Sequence, residues 1–329
     1  MRIYITGIAG YIGGSFATKM LKNGYTIFGC DNFSNSDNSG ISALSKNFPN
    51  SFHFDELDIR NGNALLNSLK HSDADCVVHF AALKNISESE KNRKLYTDNN
   101  VEGTKTLLSS MRDAKIKSLI FSSSAAVYGN QTKQPVKEDA ELNPISHYAW
   151  TKMICENLIK NESRNWLKAV MLRYFNPLGI HKDQFFYEKL DNKPRNVMGN
   201  IIACYLGIEP FFQIYGNNYP TKDGSAIRDY IHIDDLVDGH ISALSFLGNG
   251  AKSEIFNLGT SVGKSVFELV EAFNQVSKKK LPVKISERRQ SDLSISYADS
   301  RKLNKICNWK AEKSLIEMCE SSLKAYDQK

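Results

Sequence analysis

The chain has 329 residues, of which 41% are hydrophobic and 24% are charged, as in an ordinary soluble globular protein. Its net charge of +6 is spread along the sequence, which favours a solvated surface, or an anionic small-molecule ligand, over a nucleic-acid groove. It shows no signal-peptide pattern, no apolar run of membrane-spanning length and no CxxC pair among its six cysteines. We therefore expect a cytoplasmic protein with reduced thiols, no metal site and no membrane contact.

Short apolar strands alternate with helical stretches in the first half of the chain. The pattern predicts strands over 2–6, 26–30, 51–58, 76–82, 118–124 and 169–175. It predicts helices over 11–22, 61–71, 97–114 and 147–163. Strands that alternate with helices form βαβ units, and right-handed crossovers then give an α/β fold with a doubly wound parallel sheet of the Rossmann type.

The character of the sequence changes after residue 177. A polar, irregular stretch covers 180–196, and a short helix is predicted at 197–207. The segment "SAIRDYIHIDDLVDGHISAL" has the pattern of a strand that leads into a helix, with Asp234 or Asp235 as the helix-starting carboxylate. Two or three amphipathic helices are expected between 264 and 327.

These patterns predict two interleaved domains. The first covers 1–176, with a returning segment at about 228–260, and binds the nucleotide cofactor considered next. The second covers 177–329, is smaller and mostly α, and is expected to bind the substrate.

A glycine triplet follows the first strand and opens the first helix. Gly7, Gly10 and Gly13 are three residues apart, and glycine lets backbone N–H groups approach a pyrophosphate at the positive end of a helix. Asp31 closes the second strand, where a carboxylate accepts hydrogen bonds from an adenosine ribose and repels a 2′-phosphate. The alternative for Asp31 is a turn former in "DNFSNSDNSG". Glycines and carboxylate together predict NAD rather than NADP, and Asp58 either reaches the adenine or only ends its strand.

Three polar side chains suggest alcohol chemistry. Ser124 comes at the carboxyl end of the fifth strand, where ligands collect in open α/β sheets, although strand-end serines often only satisfy backbone groups. Tyr148 and Lys152 stand four apart on one helix face, where a cation favours the phenolate, although such pairs also arise by chance. Beside NAD, a hydroxyl donor, a phenolate base and a lysine suit hydride removal from a secondary alcohol.

Several motifs together resemble those of the UDP-glucose 4-epimerases, which are extended short-chain dehydrogenase/reductases. These motifs are "TGIAGYIG", "DNFSNS", "HFAALK", "DNNVEGT", "SSSAAVYG", "YAWTK", "LRYFNP" and "RDYIHIDDLVDGH". The resemblance runs almost the whole length of the chain, to near "ADSRKLNKICNW". It implies 4-epimerisation of UDP-hexoses through a transient 4-keto sugar, with tightly bound NAD regenerated in each turnover. It also implies homodimers that pair through the helices near 97–114 and 147–163.

The resemblance also implies roles for individual residues. Tyr148 would be the base, Ser124 would hold the sugar 4-oxygen, and Lys152 would tune Tyr148 and bind the nicotinamide ribose. The implied cofactor contacts are Gly7, Gly10, Tyr11, Ile12, Gly13, Asp31, Asn32, Asn35, Ser36, Asp58, Ile59, Phe80, Ala81, Lys84, Asn99, Ser124, Tyr148, Lys152, Tyr174 and Phe175. The implied substrate contacts are Lys84, Ser124, Tyr148, Asn176, Asn196, Val197, Tyr215, Arg228, Arg289, Asp292 and Ser296.

Departures from the family pattern bear on the substrate. Where the family has either a tyrosine or a small residue beside the sugar 2-position, this chain has Ser296. A small side chain leaves room for an N-acetyl group, so we expect UDP-N-acetylglucosamine and UDP-N-acetylgalactosamine also to be substrates, or even preferred. Ala82 and Ala126 replace a common glycine and threonine, and the unusual composition of 180–196 leaves the alignment of Asn196 open.

Rival functions fit less well. A nucleotide-sugar 4,6-dehydratase needs an Asp-Glu pair just after the position of Ser124, where this chain has Ala125 and Ala126. A reductase that uses NADP would want a basic residue near Asp31, and none is present there. A regulator or scaffold that only senses the dinucleotide would have no need of Tyr148 and Lys152.

Overall fold

The computed structural model describes residues 1–183, 185–187, 190, 196–289 and 292–327. By contacts the chain divides into two compact units. The first holds 1–127, 142–173 and 240–256, and the second holds 128–141, 174–239 and 257–329. The stretch that returns to the first unit is thus 240–256, within the 228–260 expected, and residues 128–141 group with the second unit.

A parallel sheet forms the centre of the first unit. Its strands are β1 (Arg2–Thr6), β2 (Thr26–Asp31), β3 (Phe52–Glu56), β4 (Cys76–His79), β5 (Ser118–Ser124) and β6 (Lys168–Tyr174), with β10 (Glu254–Leu258) at one edge. Their order in the described part of the chain is β10-β6-β5-β4-β1-β2-β3, and β1 runs parallel to both β2 and β4, as β5 does to β4. This is the doubly wound order, in which carboxyl ends meet at one edge, so the predicted fold class is confirmed.

The strand limits differ most from the prediction at β3, which covers Phe52–Glu56 where 51–58 was predicted, and at β4. That strand ends at His79, whereas the apolar run continues to residue 82. The chain leaves the sheet there because the N–H groups of Phe80 and Ala81 both donate to the Thr6 carbonyl oxygen, at 3.0 and 3.1 Å. This crossing brings the end of β4 over the glycine loop that follows β1.

Helices of the first unit cover the sheet. They are α1 (Tyr11–Lys22), α2 (Ser39–Asn47), α3 (Gly62–Ser72), α4 (Ile86–Lys91), α5 (Arg93–Tyr96), a π-helical turn (Thr97–Glu102), α6 (Gly103–Asp113) and α7 (His147–Ser163). A 3-10 turn (Ala125–Tyr128) follows β5. The helix predicted over 97–114 therefore starts with a wider turn, and α2, α4 and α5 are additional to the prediction.

Apolar residues of α6 and α7 pack in the core of the first unit. Leu107, Leu108 and Met111 of α6 and Ile159 of α7 are buried there, and Leu158 packs against this core. The sequence left open whether this face meets the sheet or a second copy of the chain. Burial of these side chains in the core explains the apolar pattern of α6 and α7 by packing within one chain. Self-association stays a prediction.

The second unit mixes helices with short strands. Its strands are β7 (Asn176–Leu178), β8 (Phe212–Tyr215), β9 (Ile227–His232), β11 (Gly263–Ser265), β12 (Val283–Ser286) and β13 (Ile295–Ser296). Its helices are α8 (Val197–Tyr205), α9 (Ile233–Gly248, which continues into the first unit), α10 (Val266–Ser277), α11 (Arg301–Cys307) and α12 (Leu315–Asp327). Part of the irregular segment predicted at 180–196 lies outside the described residues. The expected helices between 264 and 327 are present, and the small sheets are additional to the prediction.

Two helix starts of the second unit show how local sequence sets their limits. Asp234 and Asp235 lie in the first turn of α9, which already begins at Ile233, so neither is the helix-starting residue. Ser265 is the N-cap residue of α10 and forms a capping box. Its Oγ accepts from Glu268 N at 3.0 Å, and the Glu268 carboxylate accepts from Ser265 N at 2.8 Å.

Loss of the capping box should weaken the second unit. We expect Ser265→Ala to cost about 1 kcal/mol and to lower the Tm by about 2–4 °C, because it leaves a first-turn N–H without its acceptor. Thermal unfolding followed by circular dichroism measures the shift. Ser109→Ala, at an exposed position of α6, is the control and should leave the Tm unchanged. Equal melting of the two variants would contradict the assigned role of the cap.

Candidate active site

The glycine loop between β1 and α1 is shaped for close approach of a ligand. Gly7 has φ +71°, and a Cβ there would lie 2.6 Å from the Ala81 nitrogen. A Cβ on Gly13 would lie 2.4 Å from the Gly7 carbonyl oxygen. Gly10 is the N-cap residue of α1, which starts with Tyr11 and Ile12, and it contributes no side chain to cap the helix. The start of a helix favours an anion.

Asp31 closes this loop from the end of β2. Its carboxylate accepts from Ala9 N, Phe33 N and Ser36 Oγ, each at 3.0 Å. Burial raises the pKa of Asp31, and the hydrogen bonds from Phe33, Ser36 and Ala9 act in the opposite direction. The glycine loop and the turn after β2 are thereby fixed to one buried carboxylate, at the place where dinucleotide folds bind a ribose.

Asp58 is held by a salt bridge. Arg60 donates to it through Nε at 3.0 Å and Nη2 at 2.6 Å, and Asn32 Nδ2 donates at 3.0 Å. The Arg60 hydrogen bond is the main reason that the pKa of Asp58 falls to about 2. Ile59 beside it is buried in the core, whereas Asn35, on the loop after β2, is exposed.

The segments after β4 lie at the same edge of the sheet. The Phe80 ring contacts Phe16 and His240, with centroids 5.9 and 5.1 Å away, and Lys84 is exposed on the following loop. Asn100, which sequence reasoning did not select, fixes that loop. Its side chain accepts from Leu83 N at 2.8 Å and donates to Leu83 O at 3.0 Å.

Asn99 and Asn100 both belong to the π-helical turn, and Asn99 Nδ2 donates to the Asn100 side chain at 3.0 Å. The only signal in the sequence was the motif "DNNVEGT", from which Asn99 alone was selected. Wider turns of this kind occur frequently at functional sites.

Ser124, Tyr148 and Lys152 come together between β5 and α7. The N-cap of α7 is Ser146, whose side chain accepts from Ala149 N at 3.2 Å, so the helix places Tyr148 in its first turn. The Ser124 hydroxyl lies near enough to the Tyr148 phenol to lower its pKa. Lys152 Nζ donates to the Ser122 carbonyl oxygen at 2.8 Å.

Burial controls the protonation of this group. It raises the pKa of Tyr148 to about 12, against the opposing effect of the Ser124 hydrogen bond. It lowers the pKa of Lys152 to about 8, and Cys155 and Glu156 act against it. The sequence predicted that Lys152 lowers the phenol pKa, whereas the pKa of Tyr148 is raised, because burial of the phenol outweighs the effects that favour the phenolate.

Residues selected as substrate contacts form a second group within the second unit. Ser296 in β13 pairs with Arg228 in β9, and Arg228 Nη2 donates to Asp292 Oδ1 at 2.9 Å. The Arg289 guanidinium lies 3.7 Å from the centroid of the Tyr215 ring.

The remaining selected residues of this unit lie on neighbouring elements. Asn176 in β7 pairs with Tyr230 of β9, and Tyr174 and Phe175 before it are buried. Asn196 caps α8, whose first residue is Val197, by accepting from Gly199 N at 2.7 Å.

Sequence reasoning missed a second cation–π pair beside the first. Arg288 lies 4.0 Å from the centroid of the Tyr219 ring. The Tyr219 hydroxyl is buried and lacks a hydrogen-bond partner among the residues that the structure describes. Burial raises its pKa. The adjacent "RR" of the sequence was the available signal, but only one arginine was selected.

A family model described as the NAD dependent epimerase/dehydratase family matches residues 3–259. UDP-glucose 4-epimerase 2 of Arabidopsis thaliana is 38% identical over 324 residues, which are 96% of this chain and 92% of that protein. The chain belongs to the UDP-glucose 4-epimerase family. The predicted family, enzyme class and NAD cofactor are thereby confirmed, and this chain is an NAD-dependent epimerase.

Solved structures of the epimerase family have the same fold. The Stenotrophomonas maltophila UDP-glucose 4-epimerase, with bound NAD and formylated UDP-arabinopyranose, is 36% identical with a TM-score of 0.96, over 100% of this chain and 98% of that one. The UDP-Glc/GlcNAc 4-epimerase from Campylobacter jejuni is 32% identical with a TM-score of 0.86, over 99% of each chain. In this epimerase, no helix of the described residues combines the length and apolarity that a membrane crossing needs.

Gly13→Ala should empty the cofactor site. Since its Cβ would lie 2.4 Å from the Gly7 carbonyl oxygen, the loop must shift, and we expect the purified protein to retain less than about a tenth of its NAD. Nucleotide released on denaturation and quantified by chromatography gives the occupancy. Gly248→Ala in α9, where a Cβ meets no atom within 4 Å, is the control. Full NAD content in Gly13→Ala would show that the loop does not hold the pyrophosphate.

Proposed function

We propose that the protein interconverts UDP-glucose and UDP-galactose by inverting C4 of the sugar through a transient 4-keto sugar. The observation that supports this most is the placement of Tyr148 and the buried Lys152 one turn apart on α7, against the end of β5 that carries Ser124. These groups lie at the carboxyl edge of the same parallel sheet as the glycine loop, since β1, β4 and β5 run in one direction. Proton transfer can thus occur beside the dinucleotide.

NAD fits the first unit because the loop between β1 and α1 leaves room for a ligand that side chains at Gly7 or Gly13 would fill. In the proposed complex the glycine loop and the start of α1 bind the pyrophosphate, and Asp31 accepts from the adenosine ribose. Lys152, Lys84 and Asn99 would bind nearer the nicotinamide. When bound, the cofactor accepts hydride from C4 of the sugar and returns it to the opposite face.

Tyr148 acts as the base and, on return, as the acid. Ser124 donates its single hydroxyl proton to the 4-oxygen of the sugar and so holds that oxygen beside the phenol. Lys152, with a pKa of about 8, is mostly cationic at neutral pH. Its charge favours the phenolate, because a positive group nearby stabilises the charged form of an acid.

The sugar must turn over between the two hydride transfers, so the chain has to bind the nucleotide firmly and the sugar loosely. We assign the firm contacts to the second unit, where Arg228 and Arg289 supply the positive charge that a diphosphate needs. Asp292 would accept from the uridine ribose, and Tyr215 would lie beside the uracil. Asn176, Asn196 and Val197 complete this proposed set.

Tyr148→Phe should remove at least about 99% of the epimerase activity, because general acid–base catalysis contributes about 10²- to 10⁴-fold. Conversion of UDP-galactose without added NAD, followed by chromatography of both UDP-sugars, measures the loss. Tyr25→Phe, at a half-buried position between α1 and β2, is the matched control and should keep wild-type activity.

The bound NAD and the circular dichroism spectrum of Tyr148→Phe should equal those of the wild type. Full activity in this variant would refute Tyr148 as the base. A wild-type protein that leaves UDP-galactose unchanged would refute the proposed function.

We further propose that the N-acetylated sugars are substrates. Ser296 supports this, since its small side chain lies in β13 opposite Arg228, where a larger residue would narrow the space beside the sugar. The Campylobacter jejuni relative is described as acting on both kinds of sugar.

Ser296→Tyr should lower turnover of UDP-N-acetylgalactosamine by about 10-fold or more and leave UDP-galactose turnover within about threefold, because the phenol ring would occupy the space of the acetyl group. The ratio of kcat/KM for the two substrates is the measurement. Ser296→Ala keeps the space and serves as the control. An unchanged ratio in Ser296→Tyr would show that this position is not a gate.

A further inference from the structure

Glu156 is a fully buried carboxylate on α7, one turn beyond Lys152 and two turns beyond Tyr148. Residues four apart lie on one face of a helix, so all three point toward the end of β5. Neither the sequence reasoning nor the proposed mechanism uses Glu156. A buried charge is costly unless it is paired, which raises the question of what holds it there.

The Glu156 carboxylate is bound by two elements of the sheet. From β6, Arg173, itself 1% exposed, donates through Nε to Oε1 at 2.8 Å and through Nη2 to Oε2 at 2.7 Å. From β5, Ser123 Oγ donates to Oε1 at 2.7 Å. The Nζ of Lys160, a partly exposed side chain, lies 3.6 Å from Oε2 of Glu156.

These contacts join α7 to consecutive residues at the end of β5. Lys152 Nζ binds the Ser122 carbonyl oxygen, and Glu156 binds the Ser123 hydroxyl. The next residue is Ser124, whose hydroxyl lies near the Tyr148 phenol and lowers its pKa. Any movement of the strand end relative to the helix would change the distance between these two catalytic hydroxyls.

We propose that Glu156 is a positioning residue for the epimerisation. Clamped by Arg173, it holds Ser123 and so keeps the Ser124 hydroxyl within hydrogen-bond reach of Tyr148. The proposal rests on the proposed function, because it concerns the geometry of that proton transfer. Glu156 itself touches neither sugar nor cofactor.

The same carboxylate affects the charge of Lys152. The titratable and charged groups that face Lys152 are Cys155 and Glu156 on α7 and His79 on β4, with Arg173 on β6 behind Glu156. Burial lowers the pKa of Lys152, and the negative charge of Glu156 raises it. Loss of that charge would lower the pKa further, so the ammonium would be lost at a lower pH.

Ser123→Ala tests the clamp without disturbing a charge. We expect kcat to fall about 10- to 100-fold, as for a small misplacement of catalytic groups, with KM for UDP-galactose within about twofold and bound NAD unchanged. The matched control is Ser68→Ala, a buried serine of α3 whose hydroxyl binds Asp55 and Tyr4 in the same unit. It should lose similar stability and keep wild-type kcat.

A crystal structure of the Ser123→Ala holoenzyme provides a readout independent of turnover. We expect the distance between the Ser124 and Tyr148 hydroxyls to increase by about 1 Å relative to the wild-type holoenzyme, whereas it stays unchanged in Ser68→Ala. A wild-type protein inactive on UDP-galactose would refute the proposed function, and this distance would still test the clamp.

Glu156→Gln tests the charge. The alkaline limb of the kcat–pH profile should move to lower pH, because Lys152 deprotonates earlier, whereas Ser123→Ala should leave that limb in place. Should Glu156→Gln fail to fold, Ser123→Ala decides alone. Wild-type kcat in Ser123→Ala, a loss no larger than in Ser68→Ala, or an unchanged distance between the two hydroxyls in its crystal structure would each overturn the proposal.

Discussion

A lysine ammonium buried against a strand carbonyl fixes the chemistry of this protein. Lys152 is 3% exposed, yet its Nζ donates to Ser122 O and lies 4.9 Å from the centroid of the Phe121 ring. Such burial disfavours the charged form of lysine. Here a carbonyl dipole, an aromatic face and a carboxylate one turn away offset part of that cost. These contacts stabilise the helix that carries this lysine in the register that brings Tyr148 near Ser124.

The parallel sheet converts this local contact into a site. Since the carboxyl ends of its strands meet at one edge, the glycine loop after β1, the carboxylate after β2 and the serine ending β5 converge without being close in sequence. The close approach of Gly7 to Ala81 shows how tightly this edge is built. The glycine loop and the proposed base are thus positioned by the same strand order.

Short-range chemistry made much of this predictable from sequence. The limits of α1, α7, β1 and β5 follow from capping residues and apolar periodicity, and the Gly7 to Gly13 spacing identified the nucleotide loop. Contacts between distant segments were not predictable: the Glu156 and Arg173 pair joins residues 17 apart, and Asn100 acts on Leu83. The phenol pKa was misjudged because it depends on burial, which periodicity does not quantify.

The number of residues in the π-helical turn at 97–102 matters for the site. One residue beyond regular helical spacing lets Asn100 reach the loop after β4 while α6 still packs in the core. Deleting a residue here would restore an ordinary helix and rotate one flank against the other by about 100°. Leu107 and Met111 would then leave the core, or the Asn100 amide would leave the loop. The inserted residue thus serves both the packing of α6 and the contact with the loop. A design that replaced this turn by regular helix would lose one of the two.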